Sequence, residues 1–224
     1  MKSYTYMRIA AGLVFTVVTL FGPLAEASSV SGTVDVVGTI LKTEGGKSAK
    51  DVIVYLEKAD GGSYPSPSEE HAMIDQVGSV FIPHVLPIQQ GTTVDFVNSD
   101  TFEHNVFSVD DCCKFDLGNF SGGARGSHAF TDAGEAVMLC KLHPEMAAYV
   151  VVLETPYFAT VEIDGETQSG TYTIENVPPG KYLLKVWNKK TESPSQEVTV
   201  SEGEDLQANI ELQRKQRKKR RRKE

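Results

Sequence analysis

Short runs of apolar and β-branched residues recur along most of the chain, and turn-forming residues separate them. In Thr92–Val97, Val94 and Phe96 alternate with more polar positions, which is the period of a half-buried strand. No window longer than a few turns carries apolar residues at helical spacing. The strand-like runs are Val34–Val37, Val52–Leu56, Val80–Ile82, Val85–Ile88, Thr92–Val97, Val106–Val109, Gly134–Leu139, Tyr149–Leu153, Thr171–Ile174, Tyr182–Val186, Gln196–Val200 and Gln207–Leu212. This pattern predicts an all-β protein with an antiparallel β-sandwich.

Two breaks in the pattern divide the chain into units. Residues 59–70 are rich in Gly, Pro and Ser, which indicates a loop or a domain boundary. A second unit begins near Thr155-Pro156 and contains neither cysteine nor histidine. The predicted segments are N-terminal strands at 28–62, a first β-domain at 63–155, a second β-sandwich at 156–212 and a disordered basic tail at 213–224.

The N-terminal residues 1–27 have the pattern of a signal peptide. Two basic residues near the start precede an apolar run at Ile9–Leu24, and Ala25-Glu26-Ala27 supplies the small residues of a cleavage site. The run is short for a membrane-spanning helix, which needs about 20 residues. We expect cleavage after this segment and export to the periplasm or another oxidising compartment. An uncleaved N-terminal anchor is the alternative.

Charge is distributed unevenly over the 224 residues, whose formal net charge is -8. Residues 214–224 hold nine basic side chains and one acidic side chain, whereas residues 28–213 hold 11 Lys+Arg and 28 Asp+Glu. An acidic body excludes a basic nucleic-acid-binding core. The tail is expected to be disordered, and it could contact an anionic membrane or another anionic envelope surface.

The segment from Cys140 to Met146 carries the clearest chemistry in the sequence. It places a thiol, an imidazole and a thioether at Cys140, His143 and Met146, between two predicted strands. A loop between neighbouring strands can present all three side chains towards one point. A second imidazole, His104, stands just before the strand at Val106–Val109.

Two His, one Cys and one Met form the donor set of a type 1 copper site, in which the thioether is a weak axial ligand. Thiolate and thioether favour Cu(I), while imidazole accepts both Cu(I) and Cu(II). Zinc sites more often contain several Cys or three His. A haem attachment motif of the form C-x-x-C-H is absent from the sequence.

The central segment resembles the cupredoxins, and the resemblance is strongest to plastocyanin/amicyanin-type blue copper proteins, including homologues linked to methylamine utilisation. The residues that carry it are Phe81–His84, Gly91–Asp100, His104–Ser108 and Cys140–Met146. The resemblance covers roughly residues 73–153. It implies a Greek-key β-sandwich with one copper ion near one end.

The resemblance also implies roles for single residues. His104 and His143 would bind copper through imidazole, Cys140 through thiolate and Met146 axially. Asn105 would hydrogen-bond to the ligand loop and hold it in place, because outer partners orient metal ligands.

The expected function is the transfer of single electrons between periplasmic redox partners, such as a dehydrogenase and a cytochrome. His143 would be the more exposed ligand, and Leu142, Pro144 and Ala147 could form an apolar collar for docking. We do not expect an enzyme, because copper oxidases and nitrite reductases need more histidines than the five present. A copper chaperone or storage protein, or a cell-envelope interaction module that carries a cupredoxin domain, remains the alternative.

Residues 161–212 resemble a carboxypeptidase regulatory-like, or transthyretin-like, β-sandwich. The motif Gly170–Tyr182 carries this resemblance. The first strands of that family resemble Val30–Val34 and Ala49–Leu56, which stand on the other side of the central segment. We therefore hypothesise that the copper domain is inserted into this second sandwich.

Cys112 and Cys113 lie outside the copper motif, in a loop that follows two aspartates. Adjacent cysteines can close only a strained ring. They could form a labile redox pair, a second site for a soft metal or a link between chains, or they could be two ordinary thiols.

Overall fold

The computed structural model describes residues 28–37 and 49–214. The signal-peptide prediction at 1–27 and nearly all of the basic tail at 213–224 lie outside the described residues. Every regular element in the described ranges is a β-strand, which confirms the all-β prediction. These ranges contain no helix with the length and apolar character needed to cross a bilayer.

The central unit is a sandwich of two sheets. Its strands are β3 (Ala72–Gln76), β4 (Phe81–Ile82), β5 (Val85–Gln89), β6 (Thr93–Asn98), β7 (His104–Ser108), β8 (Phe115–Phe120), β9 (Arg125–Ala129), β10 (Gly134–Leu139) and β11 (Ala147–Leu153). One sheet has the order β5-β11-β10-β7-β8, and the other has the order β4-β3-β6-β9. Alternation in β6 turns Val94, Phe96 and Asn98 inwards, where they are buried.

Most strand pairs of the central sandwich are antiparallel, as predicted, but β3 pairs with β6 and β5 pairs with β11 in parallel. The chain crosses from one sheet to the other between β4 and β5 and again between β5 and β6. Same-sheet neighbours are therefore not always consecutive strands, and they are free to run in the same direction.

The second unit is built from both sides of the central unit. Its strands are β1 (Ser28–Val37), β2 (Ala49–Lys58), β12 (Phe158–Ile163), β13 (Ser169–Val177), β14 (Gly180–Trp187), β15 (Thr191–Glu192), β16 (Gln196–Val200), β17 (Leu206–Gln207) and β18 (Ile210–Arg214). Strand β1 lies between β13 and β18 in one sheet, and β2 lies between β12 and β14 in the other. The two N-terminal strands are thus interior strands of sheets that the C-terminal segment completes.

Gly32 in β1 lies very close to the backbone between β17 and β18. A Cβ atom at this position would lie 1.9 Å from the backbone oxygen of Ala208. The Ala208 N–H donates to the Ser31 carbonyl at 2.8 Å, and the Tyr172 hydroxyl donates to the Ala208 carbonyl at 2.6 Å. A residue without a side chain is required where two backbones meet in this way.

The two units share a packed junction. Ile53 from β2 packs with Tyr149 and with other β5 and β11 residues in one buried cluster. The Trp187 indole N–H donates to the Glu135 carboxylate at 2.9 Å, and the Lys189 ammonium lies 4.1 Å from the centre of the Tyr149 ring. Burial of this apolar surface favours docking of the two sandwiches on each other.

Candidate metal centre

The strand order brings the four predicted ligands to one end of the central sandwich. His104 is the first residue of β7, and Cys140 directly follows β10. These strands are antiparallel neighbours with Leu139 opposite Phe107, so the start of β7 lies beside the end of β10. His143 and Met146 stand in the loop that connects β10 to β11. Pairing of two strands that are distant in sequence therefore creates the site.

The donor atoms of three residues converge. One nitrogen each of His104 and His143 and the sulfur of Cys140 all lie within 4.8 Å of one another. The Cys140 sulfur is 3.8 Å from Nδ1 of His143, and the two imidazole ring centres are 4.7 Å apart. His104 and Cys140 are buried, whereas His143 is half-buried. A single ion can therefore reach all three donors, and one of them stands nearer the surface.

Asp100 determines how the His104 ring is presented. The His104 Nε2–H donates to the Asp100 carboxylate at 2.7 Å. Backbone N–H groups of Ser79 and Gly78 donate to the same carboxylate at 3.0 and 2.7 Å, and these bonds, followed by the one from His104, lower the Asp100 pKa to about 2. The ionised carboxylate keeps the proton on Nε2, so the Nδ1 lone pair is free for a metal.

Nδ1 of His104 is the most informative atom of the site. It is fully buried and has no hydrogen-bond partner in the structure. A buried polar nitrogen without a partner is costly, and native proteins satisfy nearly all such atoms. Because this nitrogen belongs to the converging donor set, a metal ion would satisfy it.

Met146, the fourth predicted ligand, is the last residue before β11. Its side chain is buried and belongs to the same core cluster as Cys140. Its backbone N–H donates to the His143 carbonyl at 3.0 Å, which closes a tight turn within the ligand loop. The thioether is thus held in the apolar core that also contains Cys140.

Asn105 ties three segments together next to the cluster. Its side-chain NH₂ donates to the Asp116 carboxylate and to the Gly118 carbonyl, each at 2.9 Å. Its side-chain oxygen accepts the Lys141 backbone N–H at 3.3 Å, and its own backbone N–H points to the Cys140 sulfur at 3.5 Å. The residue therefore links β7, β8 and the ligand loop, and it supports negative charge on the sulfur.

Asp116 reinforces this link from the surface. The Lys141 ammonium donates to the Asp116 carboxylate, as do the Gly118 N–H and the Asn105 side chain. These hydrogen bonds, with that of Lys141 first, lower the Asp116 pKa to about 2. The ligand loop is thus held against β8 by the Lys141–Asp116 ion pair, in addition to the hydrogen bonds of Asn105.

The surface around His143 is partly apolar. Phe102 is 45% exposed, and its ring centre lies 5.0 Å from that of His104 and 5.5 Å from that of His143. Leu142 and Pro144 are exposed, whereas Ala147 is half-buried. The sequence interpretation missed Phe102, although an aromatic residue two positions before a candidate ligand was a usable signal.

The other cysteines and histidines are not part of the cluster. Cys112 and Cys113 lie in the loop after β7, at the far end of that strand from His104. The remaining three histidines make separate contacts: His71 with the Asp95 carboxylate, His84 with the Tyr149 ring and His128 with the Phe115 ring. Among the described residues, the cluster is the one group of three or more His, Cys, Asp or Glu with metal-binding geometry.

The donor set fits a thiophilic transition metal. Two imidazoles and one thiolate suit both copper and zinc, and a buried thioether adds a soft donor that favours copper. The unpartnered Nδ1 of His104 and the short distances within the cluster agree with one ion. The residues present are thus sufficient to hold a metal ion.

Comparison with known proteins gives partial matches. The family model of polysaccharide lyase family 4, domain II, matches residues 158–208, which belong to the second unit. No curated protein matches the chain. The resemblance of this unit to carboxypeptidase regulatory-like domains therefore stays a prediction.

Solved structures of copper proteins match the chain over less than half of its length. A Cu-containing nitrite reductase from Thermus scotoductus SA-01 is 32% identical over 42% of this chain, with a TM-score of 0.36, and the match spans 24% of that reductase. A purple cupredoxin from Nitrosopumilus maritimus is 29% identical over 37% of this chain and 99% of its own, with a TM-score of 0.34. A reduced amicyanin variant is 25% identical over 38% of this chain and 85% of its own, with a TM-score of 0.36. Because these TM-scores are low, the chemistry of the site rests on its own residues.

Proposed function

We propose that this chain is an exported type 1 copper protein that carries single electrons between redox partners. The observation that carries the proposal is the convergence of the His104, Cys140 and His143 donors within 4.8 Å, with the buried Nδ1 of His104 left without any other partner. His104, Cys140 and His143 would bind one copper ion, with Met146 as the axial donor. Bound copper would supply the one-electron exchange between its cupric and cuprous states.

The protein's own part is to hold the donors still. His104 and Cys140 belong to neighbouring strands, and Asp100 fixes the His104 ring. The Asn105 N–H stabilises the Cys140 thiolate, and the Asn105 side chain holds the loop. Donors that are in place before the metal binds need little rearrangement when its charge changes, which suits rapid electron exchange.

We propose that partners approach the side of His143. This imidazole is half-buried, and the exposed side chains of Phe102 and Leu142 lie on the same surface. A small, partly apolar surface favours short-lived contacts with a donor and an acceptor. A dehydrogenase and a cytochrome are the kinds of partner that we expect.

An electron carrier is favoured over an enzyme and over a copper chaperone. Multicopper enzymes use further histidine clusters, whereas three histidines remain in the sequence besides His104 and His143. A chaperone must release its metal readily, whereas two of the three donors here are buried and braced by hydrogen bonds. Slow metal transfer to a chelator would agree with a carrier, and fast transfer would favour a chaperone.

The proposed export rests on the sequence of residues 1–27. Expression with this segment, followed by N-terminal sequencing of the secreted product, tests it. A mature chain that begins at Ser28 is the expected result. Recovery of the uncleaved chain with the membrane fraction would instead indicate an anchor.

The central test is a visible and EPR spectrum of the full chain loaded with Cu(II). We expect an intense blue or purple charge-transfer band that Cys140→Ser abolishes, because the band needs the thiolate ligand. The matched control is Cys112→Ser, which removes a thiol outside the cluster and should leave the band unchanged. A protein that stays colourless with copper, that binds only zinc, or that keeps its band in Cys140→Ser would refute the proposal.

A further inference from the structure

Cys112 and Cys113 occupy a separate corner of the central sandwich. They lie in the turn between β7 and β8, whereas the metal cluster lies at the opposite end of β7. Both are free thiols; Cys112 is half-buried and Cys113 is buried. The sulfur of Cys112 contacts the Glu135 carbonyl near the start of β10. Five residues along β10 separate Glu135 from Cys140, so the two sites are roughly 17 Å apart at about 3.3 Å per residue. The pair therefore cannot bind the same ion as Cys140.

The turn holds the two thiols in defined positions. The Cys113 N–H donates to the Asp110 carbonyl at 2.9 Å, and the Asp110 carboxylate accepts the Val137 N–H of β10 at 2.6 Å. The thiol of Cys112 points to the Glu135 carbonyl at 3.7 Å. The turn that carries the two thiols is thus held against β10.

The two thiols differ in reactivity. Burial, together with a hydrogen bond to Cys112, raises the pKa of the Cys113 thiol. Cys112 is more exposed, so a small reagent reaches its sulfur first. Gly134 leaves space beside this sulfur, since a Cβ there would stand only 3.0 Å away. An accessible thiol next to a buried one is the usual arrangement of an attacking and a resolving cysteine.

We propose that Cys112 and Cys113 form a second redox site, independent of the metal, that closes to a vicinal disulfide by exchange with a small external disulfide. In the first step the Cys112 thiolate attacks one sulfur of the external disulfide, and a mixed disulfide forms while one thiolate leaves. In the second step the Cys113 sulfur attacks that of Cys112, and the Cys113 proton passes to the departing external sulfur. The second external thiol then leaves. Two electrons and two protons pass from the cysteines to the external disulfide, which becomes two thiols.

Ring strain would determine how easily the disulfide of this site is reduced. A disulfide between adjacent residues is strained, and strained disulfides are easily reduced. The pair would thus respond reversibly to the surrounding thiol and disulfide levels rather than act as a permanent crosslink. A crosslink between chains through Cys113 is disfavoured, because Cys113 is buried.

The test uses the full chain with Cys140→Ser, so that thiol and metal chemistry at the cluster cannot contribute. The protein is reduced, treated with oxidised glutathione, unfolded with N-ethylmaleimide present and weighed by mass spectrometry. We expect the oxidised chain to be about 2 Da lighter than the reduced chain and to take up no maleimide. The reduced sample should take up one maleimide on each of Cys112 and Cys113.

Two further variants in the same background separate the roles of the cysteines. Cys113→Ser should stop at a single glutathione adduct on Cys112, because the resolving thiol is gone. Cys112→Ser should react with oxidised glutathione at about one tenth of the rate or slower, because its remaining thiol is buried. Four outcomes would each overturn the proposal. They are two thiols that stay free, a glutathione adduct on each cysteine, covalent dimers, and tight binding of added Cu(I) by the reduced pair without disulfide formation. None of these results depends on whether the cluster binds copper.

Discussion

Asn105→Ala tests whether the ligand loop is held by one buried side chain. Asn105 is fully buried. The substitution removes its hydrogen bonds to the Gly118 carbonyl, the Asp116 carboxylate and the Lys141 N–H. The backbone N–H towards the Cys140 sulfur remains, so the donor set itself is unchanged. The variant therefore separates support of the loop from ligation of the metal.

The expected loss of stability follows from the groups that are left behind. The Gly118 carbonyl and the Lys141 N–H lose their Asn105 partner, but both residues are exposed, so water can replace it and each lost hydrogen bond costs about 1 kcal/mol. Asp116 keeps its bonds from Lys141 and from the Gly118 N–H, so it adds little. The sum is a loss of about 2–3 kcal/mol in the free energy of unfolding, with the small cavity left by the buried Asn105 side chain included.

Urea unfolding of the metal-free protein measures this loss. Asn119→Ala is the matched control, because Asn119 lies opposite Asn105 on β8 and is exposed. Its substitution should change the free energy of unfolding by less than about 0.5 kcal/mol. In the loaded protein, release of copper to a chelator should be about tenfold faster for Asn105→Ala than for wild type.

Two outcomes would refute this reasoning. Equal stability of Asn105→Ala and Asn119→Ala would show that the three hydrogen bonds add nothing to folding. A large stability loss with unchanged copper release would show that Asn105 joins β7 to β8 but does not control the ligand loop.

Two other predictions concern pH and the junction between the units. The folded-state pKa of Asp116 is about 2, below its ordinary value of 3.8, so its stabilising effect is present above pH 3.8 and is lost as the pH falls towards 2. The urea midpoints of wild type and Asp116→Asn should therefore converge over that interval, and a constant gap would contradict the charged contact with Lys141. Ile53→Ala at the junction should cost about 3 kcal/mol and split thermal unfolding into two calorimetric transitions. Ile163→Ala within the second unit should cost a similar amount but leave the number of transitions unchanged; if both variants behave alike, the junction does not couple the units.

The sequence determined the class of fold and the local part of the site. Period-two alternation, as in β6, depends only on neighbouring residues, and it identified most of the strands. It missed β8 and β9, because their mixed sequences bury few side chains and alternate weakly in hydrophobicity, and it also missed β3, β12 and the two-residue β15. The loop from Cys140 to Met146 was recognisable for the same local reason, since its three donors stand within seven residues.

Only the tertiary structure decided how the distant parts meet. Parallel pairing of β3 with β6 and of β5 with β11 depends on where the chain crosses between sheets. The alternation of residues within one strand does not predict these crossing points. The position of His104 beside Cys140 follows from the pairing of β7 with β10, 36 residues along the chain. The role of Asp100 likewise needs the turn at Gly78 and Ser79 to be folded against it. Contacts between remote residues arise from packing and register, so a pattern within one segment cannot specify them.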